Sequence, residues 1–168
     1  MPKNAALNFI KQQGFQDATA AACDHRYPAL MFQPRLLGAI VTLGLVLQNG
    51  PLFLILSGVL WWNVLVPARN PFDALYNRLV ADPRGLPRLT PAPAPRRFAQ
   101  GMAAAFMLGI GLALVLGWGL VAWVLEGFLV FALAALILGK FCLGSYVFHL
   151  LRGDTAFANR TLPWARQG

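Results

Sequence analysis

Two long stretches of this 168-residue chain carry almost no charge, and they decide what it can fold into. Residues 36–66 contain no Asp, Glu, Lys or Arg, and residues 98–151 contain only Glu126 and Lys140. Each block exceeds the roughly 20 apolar residues that span a hydrocarbon core. A water-facing helix would interrupt such a run with a polar side at every turn. Charged residues make up only 12% of the chain, about half the usual soluble share. The formal charge of +8 would point to nucleic acid in a soluble protein, but its placement argues otherwise. Of the 14 Lys and Arg residues, 13 fall in residues 1–35, 67–97 and 152–168, as they do in cytoplasmic flanks of membrane helices. No nucleic-acid partner is expected, and the lipid bilayer is.

The expected fold is all-α and integral to the membrane. Four transmembrane helices form two hairpins, with both termini inside and a short amphipathic helix at the interface. Residues 36–66 are too long for one span, and Gln48-Asn49-Gly50-Pro51 at their middle is turn chemistry. A first hairpin over 36–66 keeps the basic segments 1–35 and 67–97 on one side. Residues 1–35 form a cytoplasmic segment, either a helix on the membrane surface (Leu7, Ile10, Phe15) or a solvated tail, broken by Pro28 and Pro34. In 67–97, Asn70-Pro71-Phe72-Asp73 opens a helix, with Asn70 as N-cap. Phe72, Leu75, Tyr76, Leu79 and Val80 form its apolar face, and Asp73 falls on the opposite, polar face. A proline-rich strap follows, and Arg96 and Arg97 are expected at headgroup level. The second hairpin occupies 98–151, turning at Gly117-Trp118-Gly119, with its last helix running from about 120 to 150. Residues 152–168 form a cytoplasmic tail. No cleavable signal peptide is visible, so the first span directs insertion.

Candidate functional residues fall into three groups. Gly101, Ala105, Gly109, Ala113 and Gly117 place a small residue at every fourth position of the third span, a ridge that admits another helix backbone. Its partner is a helix of the same chain, a second protein or a second copy. Glu126 and Lys140 are ionisable groups in apolar sequence, the first near the outer turn, the second able to snorkel inward. Few polar residues (Thr42, Ser57, Asn63) accompany them, which argues against an ion pathway. Cys142, Ser145 and His149 share one stripe of a helix, a candidate thiol site. In one long helix the cysteine would lie toward the C-terminus, where the dipole opposes a thiolate. Cys23 and His25 could join Cys142 and His149 around a metal, but no spacing demands it, and neither metal nor cofactor is expected.

Arg97-Phe98-Ala99-Gln100-Gly101, Gly139-Lys140-Phe141-Cys142-Leu143-Gly144-Ser145-Tyr146 and the proline-flanked stretch from Asn70 to Arg78 resemble a family of small bacterial integral membrane proteins of uncharacterised function. The resemblance covers about residues 30–152 and implies the four-helix topology in a bacterial inner membrane. Members commonly end in Cys-Leu-Gly-Cys. Here Cys142 matches the first cysteine and Ser145 stands at the second, so an internal disulfide cycle is not available. The sequence points first to a non-catalytic subunit or scaffold of a larger membrane complex, respiratory, photosynthetic or sulfur-handling, with a membrane-protein partner or second copy. The alternative is a thiol-dependent redox or sulfur-relay protein using Cys142, and the third is a small transporter.

Overall fold

The computed structural model describes residues 2–15 and 20–165, with side chains for 4–15 and 24–165. The elements are α1 (Pro2–Gln12), α2 (Ala20–Leu47), α3 (Gly50–Leu65), α4 (Pro71–Tyr76), α5 (Ala94–Val115), α6 (Gly119–Ile137), α7 (Leu143–Leu151) and α8 (Thr155–Arg160). No strand occurs among the described residues. Among the described residues, three helical stretches are long and apolar enough to cross a membrane: Asp24–Leu47, Ala94–Val115 and Gly119–Ile137. Helix α3 is equally apolar but has 16 residues, short of the usual span.

The turn between α2 and α3 falls at the expected place. Gln48 adopts a positive φ of 46°, and Asn49 caps α3 by accepting a hydrogen bond from the Leu52 amide at 2.9 Å. Helix α3 then packs mainly along α5. Ser57 Oγ donates to the Ala104 carbonyl at 2.8 Å, and Phe53, Leu60, Met107 and Ile110 are fully buried between the helices and their neighbours.

Three expectations need correction. Pro28 and Pro34 do not break the chain but lie inside α2. Each removes one backbone hydrogen bond, a loss membrane helices tolerate when neighbours hold the segment. Ala29, Leu30 and Met31, all buried, supply that hold. Residues 2–15 begin with the expected helix but are not a solvated tail: Phe9, Ile10 and Phe15 pack with Leu30, Met31 and Cys142. Finally, the last span does not continue to about 150. It stops at Ile137, unwinds through Lys140 (φ 54°), and restarts as α7 with Cys142 in the N-cap position.

The segments at one end of the fold are tied together. Asn8 Nδ2 donates to the carbonyls of Leu162 and Ala165 (2.8 and 3.1 Å), which docks the segment after α8 on α1. Tyr146 donates to Asn159 Oδ1, and the strap residue Leu89 exchanges hydrogen bonds with the Asn77 side chain. At the opposite end lie the turns at Gln48-Asn49 and Leu116–Trp118. Glu126, buried in α6, accepts from Gln48 Nε2 at 3.2 and 3.3 Å there.

Candidate functional site

Five amide and charged side chains that apolar surroundings would normally exclude, Gln33, Asn70, Asp73, Arg96 and Gln100, are gathered where α2, α4 and α5 meet. Asn70 caps α4 as expected, accepting from the Phe72 amide at 2.9 Å. That cap turns Asp73 inward, not toward solvent: Asp73 is buried, while Leu75 and Leu79 are exposed. The sequence periodicity misassigned this face because it counts apolarity and cannot see a countercharge. Arg96 supplies it. Its guanidinium turns into the protein, the residue being 4% exposed, and Nη2 donates to Asp73 Oδ1 at 3.1 Å. Arg97, by contrast, is exposed.

Gln33 of α2 sits at the centre of this knot. Its Oε1 accepts from Arg96 Nη2 at 3.1 Å, Gln100 Nε2 at 3.0 Å and Asn70 Nδ2 at 3.3 Å. Asn70 Nδ2 also donates to Asp73 Oδ2. Burial pushes the Asp73 carboxyl above its ordinary value, and Arg96 and Asn70 pull it only part of the way back. Two atoms of the knot, Arg96 Nη1 and Gln100 Oε1, have no hydrogen-bond partner among the described residues.

Gln33, Arg96 and Gln100 are also wall residues of a cavity of about 320 Å³ between α2, α5, α6 and α7. The rest of the wall is largely apolar and includes Leu37, Phe106, Phe128 and Phe131. Phe128 and Phe131 face outward, so the cavity opens on the side of the fold that is covered with apolar residues. Cys142 is part of the same wall.

Cys142, Ser145 and His149 share a face, as their spacing implied, and all three are buried. The Cys142 amide donates to Gln12 Oε1 at 2.9 Å, Ser145 Oγ donates to the Pro95 carbonyl at 3.2 Å, and His149 Nε2 lies 3.1 Å from the Gln12 carbonyl. Because the helix breaks before it, Cys142 stands at the start of α7 and not near the end of a long helix. The dipole at a helix start favours negative charge, the reverse of the argument drawn from a continuous helix. The Cys23 side chain lies outside the described residues, His25 is exposed, and no group of three or more possible metal ligands is present among the described residues.

A family model described as a domain of unknown function, DUF4395, matches residues 28–152. The chain belongs to that family. No curated protein and no solved structure matches it. The family region contains the whole polar knot and Cys142, whereas Gln12 and the cavity-wall residues Phe9 and Gln13 come from the segment before it.

The remaining candidates lie apart from this site. Within the small-residue ridge, Ala113 is buried, Ala105 and Gly117 are exposed, and a Cβ on Gly109 would meet Leu125 of α6. At 3.6 residues per turn, a step of four drifts about 40° around the helix, so the ridge winds off any single neighbour. Helices α3 and α5 approach closely at Gly50 and Gly111. Lys140 is in the break before α7, with Nζ 5.3 Å from the centre of the Tyr27 ring. The sequence offered one unused signal for the site: Gln33, Asn70, Asp73, Arg96 and Gln100 flank apolar blocks as isolated polar residues, and side chains of this kind are costly near lipid unless they meet.

Proposed function

We propose that the chain is a four-span membrane protein, with both ends and residues 67–97 on the cytoplasmic side, that acts through the thiol of Cys142. The orientation is supported by charge: the turns at Gln48-Asn49 and Leu116–Trp118 carry no Lys or Arg, and the basic segments collect at the other end. Helix α3 serves as the fourth, short span, accommodated by local bilayer thinning. The thiol reading is carried by one observation. Cys142 occupies a helix start in the wall of an apolar cavity that also holds the unsatisfied Arg96 and Gln100.

The chemistry is sulfur exchange. The Cys142 thiolate attacks one sulfur of a disulfide or persulfide, a new S–S bond forms at Cys142, the old S–S bond breaks, and the displaced thiolate leaves with the electron pair. With Ser145 where a second cysteine would be, a partner's thiol must release the product. The apolar cavity wall selects apolar or partner-delivered reagents. In protein with Cys23→Ser, 4,4′-dithiodipyridine should therefore react with Cys142 faster than a charged aromatic disulfide of similar size. Reaction only after denaturation would refute the reading.

The scaffold reading has its own support. Helix α6 buries only Ala122, Glu126 and Leu129 among its 19 residues and leaves Trp123, Phe128 and Phe131 outward, a surface for lipid or for a membrane partner. Purification in mild detergent separates the two, since a subunit brings its complex with it.

A further inference from the structure

The seam between α2 and α6 is open over part of its length. It holds a groove of about 330 Å³, walled on one side by Gly38, Val41 and Leu45 and on the other by Leu133, Ala134 and Leu138. Gly38 and Ala134 contribute little or no side chain, which leaves the space unfilled. From Gly38 to Leu45 the groove follows α2 for about 10 Å, long enough for the upper part of an acyl chain. Thr42 is also in the wall, but its hydroxyl already donates to the Gly38 carbonyl at 2.8 Å and asks for no other partner. Val130 and Leu138 on the rim are exposed, so the groove opens on the apolar outer surface.

Charge stands at one end only. Arg35 is exposed and belongs to the groove wall, one turn before Gly38, at the end of the fold where the basic segments collect. Lys140 follows two residues after Leu138 on the other side of the seam. Its Nζ stands 5.3 Å from the centre of the Tyr27 ring, and Arg35 is within electrostatic reach of the same tyrosine. Neither Arg35 nor Lys140 has a carboxylate partner among the described residues. Two uncompensated cations at the mouth of a lipid-facing apolar groove favour an anion that carries its own apolar tail. The planar fork of an arginine suits the paired oxygens of a phosphate. A free phosphate would leave the groove empty, and a zwitterionic headgroup would set its ammonium against both cations.

We infer that the groove between α2 and α6 binds an anionic phospholipid of the cytoplasmic leaflet. The phosphate sits on Arg35, Lys140 adds to the field, and one acyl chain lies along Gly38 to Leu45. The choice of leaflet rests on the orientation proposed above, and the binding does not rest on Cys142.

The test uses the full chain in phosphatidylcholine nanodiscs with a trace of phosphatidylglycerol bearing a diazirine on one acyl chain, and maps labelled peptides by mass spectrometry. Label should concentrate on residues 38–45 and 130–138. Unlabelled phosphatidylglycerol should displace it about five-fold better than phosphatidylethanolamine with the same chains. Glycerol 3-phosphate, a head without a chain, should not displace it. Arg35→Gln should reduce groove labelling about five-fold, and Lys140→Gln by less. Arg78→Gln, which removes an exposed charge at the same end but outside the groove, should leave labelling unchanged. Thr42→Phe, which fills the groove from an exposed position, should abolish it. Both leaflets of the nanodisc carry the probe, so the result is independent of orientation, which cysteine labelling at Asp82 tests separately. Equal losses in Arg35→Gln and Arg78→Gln, or equal displacement by the two phospholipids, would leave only general surface charge and overturn the inference. A dimer with an unlabelled groove would assign the seam to a second copy and overturn it as well.

Discussion

Replacing Gly111 by Ala adds one methyl group at the closest approach of α5 to α3. Built on the existing backbone, that Cβ lies 2.7 and 2.8 Å from Leu54 Cδ2 and Cγ and 3.0 Å from the Gly50 carbonyl oxygen. The Leu54 terminus can rotate, but its Cγ and the Gly50 carbonyl are fixed by α3, so the helices must separate. At Gly101 the same methyl group would meet nothing closer than 3.7 Å. Both substitutions gain the same helix propensity, about 1 kcal/mol, so it cancels in the comparison. What remains is overpacking, about 1–3 kcal/mol against Gly111→Ala. Unfolding in mixed micelles, followed by tryptophan fluorescence, measures the difference. Adding Leu54→Ala to Gly111→Ala should recover part of the loss, a coupling within about 0.5–3 kcal/mol. If Gly101→Ala and Gly111→Ala are equally stable within about 0.5 kcal/mol, the α3–α5 contact does not determine stability as argued.

The buried pair gives two further expectations. Arg96→Met should cost about 3–5 kcal/mol at neutral pH by stranding Asp73, and adding Asp73→Asn should recover much of it; additive losses in the double variant would show that the two groups do not interact. A carboxyl raised by folding binds its proton more tightly in the native state, so Asp73 contributes stability that is fully present below its ordinary value of about 3.9 and lost as pH rises through the raised one. Relative to Asp73→Asn, the native protein should thus gain stability as pH falls from about 7 to about 4, and the opposite slope would mean that Arg96 outweighs burial. For topology, cysteines introduced at Asn49 or Gly119 should be labelled from outside the cell and those at Asp82 or Asp154 should not. Labelling at Asp82 would invert the proposed orientation.

The helices were legible because charge is absent from long blocks, and the turns because Gln48-Asn49-Gly50-Pro51 and Gly117-Trp118-Gly119 carry turn residues. Of the site, the shared face of Cys142, Ser145 and His149 was legible from spacing, but the polar knot and the helix start at Cys142 were not, for two physical reasons. Helical periodicity sorts residues by polarity, and Asp73 is polar yet inward because Arg96, 23 residues away, neutralises it. Hydropathy also cannot register a break inside an apolar run. Leu136 to Leu143 reads as one helix on composition, which hid the position of Cys142 at a helix start.

That break has a steric origin. A Cβ on Gly139 would stand 2.6 Å from the Ala135 carbonyl oxygen, so the chain can tighten there only without a side chain. The Phe141 amide then reaches back to that same carbonyl at 3.0 Å, and the Cys142 amide is capped by Gln12. One turn later, a Cβ on Gly144 would lie 2.7 Å from Ala99 Cα and Cβ, so α7 can press on α5 only because Gly144 is bare. The two glycines flank Cys142 and do complementary work. The first ends α6 early, and the second lets the new helix seat itself against the helix that carries Arg96 and Gln100. An uninterrupted helix would have carried Cys142 away along the axis of α6. Interrupted, it brings the thiol to a helix start in the wall of the apolar cavity, which is the arrangement on which the proposed chemistry depends.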